Sequence, residues 1–157
     1  MIFEWTYDTS LGKLLILEEN GKIIGIETKK EKKIVASDYM AKETRVIQEA
    51  YRQIEEYLQG KRKVFDLPIQ MKGTAFQEKV WKALCNIPYG ETRSYGEIAK
   101  EIGNSKAARA VGMANHVNKI MIVIPCHRVI GSNHKLVGYA GGIEIKEKLL
   151  RLEKENK

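Results

Sequence analysis

Over the first thirty residues, apolar and polar positions change with the short period of strands. Ile2-Phe3-Glu4-Trp5-Thr6-Tyr7 opens the pattern, and Leu14-Leu15-Ile16-Leu17 and Lys22-Ile23-Ile24-Gly25-Ile26 flank Glu18-Glu19-Asn20-Gly21. Asn20-Gly21 predicts a tight hairpin, because both residue types tolerate positive φ. After a charged stretch at 29–33 the period lengthens. Val46, Ile47, Ala50, Tyr51, Ile54, Tyr57 and Leu58 fall on one face of a 3.6-residue repeat, which predicts a helix over 41–58 stopped by Gly60. Residues 61–72, basic at their start and holding Pro68, read as a linker.

The second half reads as mostly helical. Thr74-Ala75-Phe76-Gln77 has the spacing of a capping box, and Phe76, Val80, Trp81 and Leu84 make a buried stripe behind it, with Cys85 expected in the core. Pro88-Tyr89-Gly90 forces a turn. A second box, Ser94-Tyr95-Gly96-Glu97, starts a short helix carrying Ile98, Ala99 and Ile102, and Gly103 supplies a left-handed stop. Asn104-Ser105 is expected to cap a further helix over 106–117. Two short helices joined this way have the layout of a helix-turn-helix, although many helical hairpins bind nothing. Ile120-Met121-Ile122-Val123-Ile124 predicts a short buried strand ending at Pro125-Cys126-His127-Arg128. A Gly-rich loop over 131–142 leads to a last helix, from about Ile145, with Leu149 and Leu152 facing inward. The expected fold class is α/β (α+β), with a small sheet-plus-helix domain over 1–70 and a mostly helical, winged-helix-like domain over 71–157 that carries the helix-turn-helix.

Composition narrows the function classes. The 157 residues carry 27 Lys and Arg against 20 Asp and Glu, a net charge of +7, which favours an anionic partner such as nucleic acid or an anionic lipid surface. No apolar run approaches the length of a membrane span, and Met1 leads into a strand pattern rather than a signal peptide, so a cytoplasmic location with no membrane partner is expected. Two cysteines, Cys85 and Cys126, exclude a disulfide framework and fit a reducing compartment. Without a Cys-x-x-Cys pair, and with His116, His127 and His134 scattered, neither a metal nor another cofactor is expected.

Two positions suggest chemistry. Pro125 holds Ile124 extended, so Cys126 has a rigid mount at the end of an apolar run; it reads either as a small buried hydrophobe or as a nucleophile. A free thiol has a pKa of roughly 8.5, so a nucleophile needs a base or a positive field, for which Arg128, His127 and the preceding helix are candidates. Neighbours in extended chain point to opposite sides, so His127 needs a water relay or a bend to reach the thiol. Arg109 stands among the small residues of Lys106-Ala107-Ala108-Arg109-Ala110-Val111-Gly112. It reads either as a solvated cation over a tight helix contact or as a finger that enters a base stack.

Gly73-Thr74-Ala75-Phe76-Gln77 through Trp81, Ile87-Pro88-Tyr89-Gly90-Glu91-Thr92, Ser94-Tyr95, Ala107-Ala108-Arg109-Ala110-Val111-Gly112 and Ile124-Pro125-Cys126-His127-Arg128-Val129-Ile130-Gly131 together resemble the methylated-DNA--protein-cysteine methyltransferases, the O6-alkylguanine-DNA alkyltransferases. The resemblance covers residues 73–153; the first seventy match in layout only, as the ribonuclease-H-like domain of that family. It implies that Cys126 accepts the alkyl group, that His127 deprotonates it through water, and that Glu153 orients the histidine. Asn118 would brace the active-site turn. Arg109 would replace the extruded nucleotide, and Tyr95 would rotate the phosphate and donate a proton toward guanine N3. Thr92, Ser94, Ala107, Ala108 and Gly112 would meet DNA. The carbonyls of Cys126 and Val129, with Tyr139 and the Ala140 amide, would line the base. The chain departs from the family at Lys119, where proline usually follows the asparagine, and at Ala140, where many members have serine; the structural zinc of some members has no ligand set here.

The resemblance implies a monomer that binds double-stranded DNA containing O6-alkylguanine through the minor groove. It would flip the lesion into a pocket with the ionised thiol at its mouth and be consumed by one irreversible transfer, with O4-methylthymine as a second substrate. Thioether formation explains the single turnover, since no polarised carbonyl remains for water to attack. A non-catalytic winged-helix DNA-binding protein, an alkyl-damage sensor and a cysteine hydrolase are the alternatives. The sensor lacks the acceptor cysteine that is present here, and the hydrolase would turn over repeatedly.

Overall fold

The computed structural model describes residues 1–28, 39–131 and 142–157, which fall into two compact units, Met1–Gln70 and Met71–Lys157. The charged stretch at 29–33, and Tyr139 and Ala140, lie outside the described residues.

In the first unit, β1 (Ile2–Thr9), β2 (Gly12–Glu19) and β3 (Lys22–Thr28) form an antiparallel meander, and β4 (Tyr39–Ala41) adds parallel to β1, giving the order β3-β2-β1-β4. The β2–β3 turn is Asn20-Gly21 with φ of 54° and 78°, the positive pair that a two-residue turn requires to match strand twist. Helix α1 (Arg45–Leu58) begins later than the pattern predicts, because Tyr39–Ala41 is a strand and Thr44 is the cap, its Oγ1 accepting from Ile47 N at 3.2 Å. Leu14, Ile16, Ile23 and Ile26 of the sheet and Ile47, Ala50, Ile54 and Tyr57 of α1 are buried. Each buried Leu or Ile among them contributes roughly 1.5–3 kcal/mol.

The expected linker is in part strapped onto this unit. Ile23 N donates to Pro68 O at 2.8 Å and Gln70 N to Ile23 O at 2.9 Å. Buried Gln53 meets the Asp66 backbone with both ends of its amide, giving Nε2 to its carbonyl and taking its N–H, each at 2.9 Å, and Nε2 also donates to Glu49. Hydropathy alone cannot see a polar side chain that satisfies a backbone segment.

The second unit holds α2 (Ala75–Leu84), β5 (Arg93–Ser94), α3 (Tyr95–Glu101), α4 (Ala108–His116), a single 3₁₀ turn (Cys126–Arg128), β6 (Val129–Ile130) and α5 (Ile143–Glu155). Both capping boxes are formed, Thr74 with Gln77 and Ser94 with Glu97. Trp81 Nε1 ties α2 to α4 by donating to Ala114 O at 2.9 Å.

Four expectations are corrected here. Cys85 is exposed, because it caps α2 beyond the stripe of Val80, Trp81 and Leu84. Helix α4 starts at Ala108 without a side-chain cap, since Asn104 Oδ1 is drawn into a turn with Lys106 N at 3.3 Å. Residues 121–124 are turns rather than a strand. Helix α5 starts at Ile143, and its buried residues are Lys146, Leu149 and Glu153, with Leu152 only half-buried.

Candidate active site

The site is built on the run expected to be a strand. Val123 N donates to Met121 O at 2.9 Å across Ile122, whose φ is +74°, a rare conformation for a β-branched residue. Pro125, at φ −79° and ψ 62°, lies in an inverse γ-turn in which Cys126 N donates to Ile124 O at 2.7 Å. Asn118 holds this strained path: its Nδ2 donates to Ile124 O at 3.0 Å and its Oδ1 accepts from Ile120 N at 3.1 Å. The same Nδ2 lies 3.1 Å from Cys126 Sγ. These turns bury an apolar run without a sheet, because one asparagine supplies the missing backbone partners. Lys119, where the family usually has proline, is exposed beside it.

Within the 3₁₀ turn Cys126, His127 and Arg128 are all buried. His127 Nε2 meets Glu153 Oε2 at 2.6 Å. Arg128 grips the same carboxylate with Nε at 2.9 Å and Nη2 at 3.0 Å, and its Nη1 donates to Ile87 O at 2.7 Å. Gly90 N adds a fourth donor to Glu153 at 3.0 Å. A carboxylate only accepts, so His127 donates from Nε2, and in the neutral ring the lone pair is on Nδ1. Burial pulls the His127 pKa below its usual value, partly opposed by Glu153, so the ring is neutral and basic at neutral pH.

Two residues that the sequence analysis did not single out complete the core. Lys146 is fully buried and its Nζ donates to Val129 O. Burial lowers its pKa to about 8, and attraction to the Cys126 thiolate opposes the shift. Asn115 is fully buried on α4, and its Nδ2 donates to Cys126 O at 3.3 Å. Arg128 is a candidate source of positive field for the thiol, but its charge is matched by Glu153, whereas the Lys146 cation and a charge on Cys126 attract one another. A lysine and a glutamate at the spacing of Leu149 were the available signal, since 146, 149 and 153 share one helix face.

Tyr95 is half-buried, with its ring against Gly112: a Cβ there would lie 3.8 Å from Cδ1. Burial raises its pKa, the Cys126 charge adds to this, and a hydrogen bond from Asn115 acts against both. Ser94 caps α3, and Arg93 and Ser94 pair in parallel with Val129 and Ile130, tying the start of that helix to the cysteine turn. Thr92 and Arg109 are exposed, Ala107, Ala108 and Gly112 are half-exposed, and Val129 is buried. The structure therefore gathers Cys126, His127, Glu153, Asn118 and Tyr95 and leaves Arg109 on the outer face of α4.

One expectation about access is corrected. Cys126 is enclosed, at 0 % exposure, rather than at the mouth of a pocket, because the γ-turn at Pro125 and Asn118 tuck it beneath α4. Enclosure alone would suit a core cysteine. The polar partners speak otherwise, since a buried histidine, glutamate, arginine and lysine around one thiol cost stability that an apolar core would not.

A helical pair beside an enclosed, base-flanked thiol defines a protein with a cysteine nucleophile. The comparisons with known proteins name the class. Residues 75–155 match the family model described as 6-O-methylguanine DNA methyltransferase, DNA binding domain, and residues 2–71 match its ribonuclease-like domain. The chain is 51 % identical over 149 residues to the methylated-DNA--protein-cysteine methyltransferase of Methanosarcina acetivorans, covering 94 % of this chain and 95 % of that one. It is 48 % identical over 159 residues to the constitutive enzyme of that name from Bacillus subtilis, covering 98 % and 96 %. A crystal structure of Mycobacterium tuberculosis OGT in complex with DNA superposes with a TM-score of 0.91 at 42 % identity, covering 98 % of this chain and 94 % of that one. The chain belongs to the methylated-DNA--protein-cysteine methyltransferases, enzymes of DNA repair. Its mixed α and β fold, with a sheet domain followed by a helical one, is the fold of those structures. Among the described residues, no helix is long and apolar enough to cross a membrane.

Proposed function

We propose that this protein acts in the cytoplasm as a monomer, binds double-stranded DNA through the minor groove, flips out O6-methylguanine and takes its methyl group irreversibly onto Cys126. O4-methylthymine is a second substrate on this reading. The observation that carries it is the single turn in which Cys126 is followed by a histidine locked to Glu153, with Asn118 on the sulfur.

The thiol proton passes through water to His127, whose imidazolium is stabilised by Glu153. Sulfur attacks the methyl carbon, the S–C bond forms, and the O6–C bond breaks with its electrons passing to the purine. Tyr95 gives a proton to N3 of the departing guanine, its own proton is restored from solvent, and His127 releases to solvent the proton it took from the thiol. The electrophile is an sp³ carbon, so no oxyanion hole is needed, and the rate comes from activating sulfur and neutralising the leaving group. Lys146 favours the thiolate over the buried thiol. Arg109 fills the gap in the stack, while Thr92, Ser94, Ala107, Ala108 and Gly112 meet the groove or backbone; small side chains on α4 let the helix approach closely. The carbonyls of Cys126 and Val129 take the exocyclic amine, and Tyr139 and Ala140 line the base.

Intact mass spectrometry after mixing with a duplex carrying O6-methylguanine tests this directly. The expected result is one added methyl on the Cys126 peptide of the wild type and none on Cys126→Ala. Repeated turnover, or methyl transfer in the alanine variant, would overturn the proposal.

A further inference from the structure

Asn115 lies on α4 one turn beyond Gly112, against which the Tyr95 ring packs, so the helix side that carries the ring also carries the amide. Its orientation is decided by chemistry. The Cys126 carbonyl can only accept, so the amide nitrogen 3.3 Å away is the donor; turning the amide over would set two oxygens against each other in a buried site. The Tyr95 ring packs on this same side of the helix, which brings its hydroxyl within reach of the amide; the amide favours the ionised hydroxyl, so there too it donates. One NH₂ group therefore serves two carriers of the reaction, the backbone of the acceptor cysteine and the oxygen of the proton donor. A tyrosine oxygen that receives a hydrogen bond directs its own proton to another acceptor and holds its phenolate more readily once that proton has gone.

We propose that Asn115 is a positioning residue for alkyl transfer: by donating to both Tyr95 Oη and Cys126 O, it fixes the proton donor relative to the nucleophile and turns the tyrosine proton toward the purine. The inference rests on the methyl-transfer reading above and adds a residue to it. The bonds made and broken are unchanged. Asn115 exchanges no proton; it stabilises the transient Tyr95 phenolate between donation to N3 and reprotonation from solvent. Because α4 carries the amide, the helix that would enter the groove also sets the donor.

Single-turnover kinetics of methyl transfer against duplex concentration separate this role from a structural one, using wild type, Asn115→Ala, Tyr95→Phe and the double variant, each checked for cooperative unfolding. A positioned general acid accounts for about 10²–10⁴-fold in rate, and loss of its positioning is expected to remove about tenfold. The rate constant at saturating duplex should fall by that factor in Asn115→Ala, with half-saturation changed by less than about twofold. In the Tyr95→Phe background the same substitution should then change the rate by less than about twofold, because the group it serves has gone. Multiplicative effects, or a change in half-saturation with an unchanged maximal rate, would overturn the proposal. If Asn115→Ala does not fold, Asn115→Leu, nearer in volume, gives the same cycle. Wild type that gains no methyl defeats the repair reading itself; wild type that transfers while the cycle is multiplicative defeats only the role of Asn115.

Discussion

Among the described residues, two arginine–glutamate forks pair the same guanidinium nitrogens with a carboxylate, one in each unit. On α1, Arg52 grips Glu49 with Nε at 2.9 Å and with Nη2, and reaches Glu56 at 3.0 Å. In the second unit Arg128 grips Glu153 at 2.9 and 3.0 Å. Side-chain exposure is 54 % and 40 % for the first pair but 8 % and 1 % for the second. Water screens the first fork, which therefore contributes little to stability. The second has given up its hydration for fixed donors, so neither partner can be lost cheaply. Only the buried fork has a histidine on the same carboxylate, and only there does a proton shared with that histidine have a chemical use. The difference teaches that burial, not the pairing itself, makes an ion pair functional.

Substituting the two carboxylates is the strongest way to break the comparison. Glu153→Gln leaves the Arg128 cation buried without its counter-charge and turns one of the two acceptor oxygens into a donor, so that His127, Arg128 and Gly90 must compete for the other. It should lower the urea-unfolding free energy by about 3–5 kcal/mol and abolish methyl transfer in whatever protein folds. Glu49→Gln should leave both measurements unchanged. Equal losses in the two variants would show that geometry rather than burial decides the outcome.

Lys146 sharpens the same point from the cationic side. Its folded pKa of about 8 lies below the ordinary lysine value of 10.5, so between these limits the unfolded chain binds more protons and stability rises with pH. Below about pH 8 the full burden of a buried cation is present, on the order of 3 kcal/mol. Lys146→Met should therefore unfold at higher urea than wild type at pH 7, and the gap should shrink between pH 8 and 10.5. The same variant should transfer methyl more slowly, since the thiolate loses a cation that attracts it. In wild type the transfer rate should decline above about pH 8 as Lys146 deprotonates. Its acid limb should fall below pH 6.5, because the His127 pKa is lowered and the base stays neutral there. An acid limb above 6.5 would contradict the enclosed histidine.

Local patterns carried much of this architecture. Asn20-Gly21 and the two capping boxes were legible because their chemistry acts within four residues. The block around Cys126 pointed to its chemistry through likeness to a family, yet its shape was misread: an apolar pentapeptide looks like a strand, and only the long-range bonds of Asn118 make it a set of turns. Glu153 was named from that likeness alone, since a glutamate in a charged tail looks like surface. Lys146 and Asn115 went unnoticed because hydropathy places lysine and asparagine outside, and nothing local reveals a partner seventeen or eleven residues away. Cys85 was placed inside for the converse reason: it follows a buried stripe by one residue, and one residue turns a helix by 100°.

The smallest effect is expected at the centre of the exposed network. Arg52 joins Glu49 to Glu56, and Glu56 in turn takes Arg62 at 2.8 Å, so removing it touches three other charged groups. Hydrogen bonds from Arg52 and then Gln53 hold the Glu49 pKa down at about 2, so this carboxylate stays charged until strongly acid pH. Any stability it lends is present above its ordinary pKa of 4.5 and is lost as pH falls through 2. Both members of the pair are bathed in water that solvates them nearly as well when they part. Arg52→Ala should therefore leave the urea midpoint unmoved at pH 7 in both low and high salt. A clear loss at low salt that disappears at high salt would show that the surface fork acts through its charges after all. It would also remove the ground for treating the buried fork as different in kind.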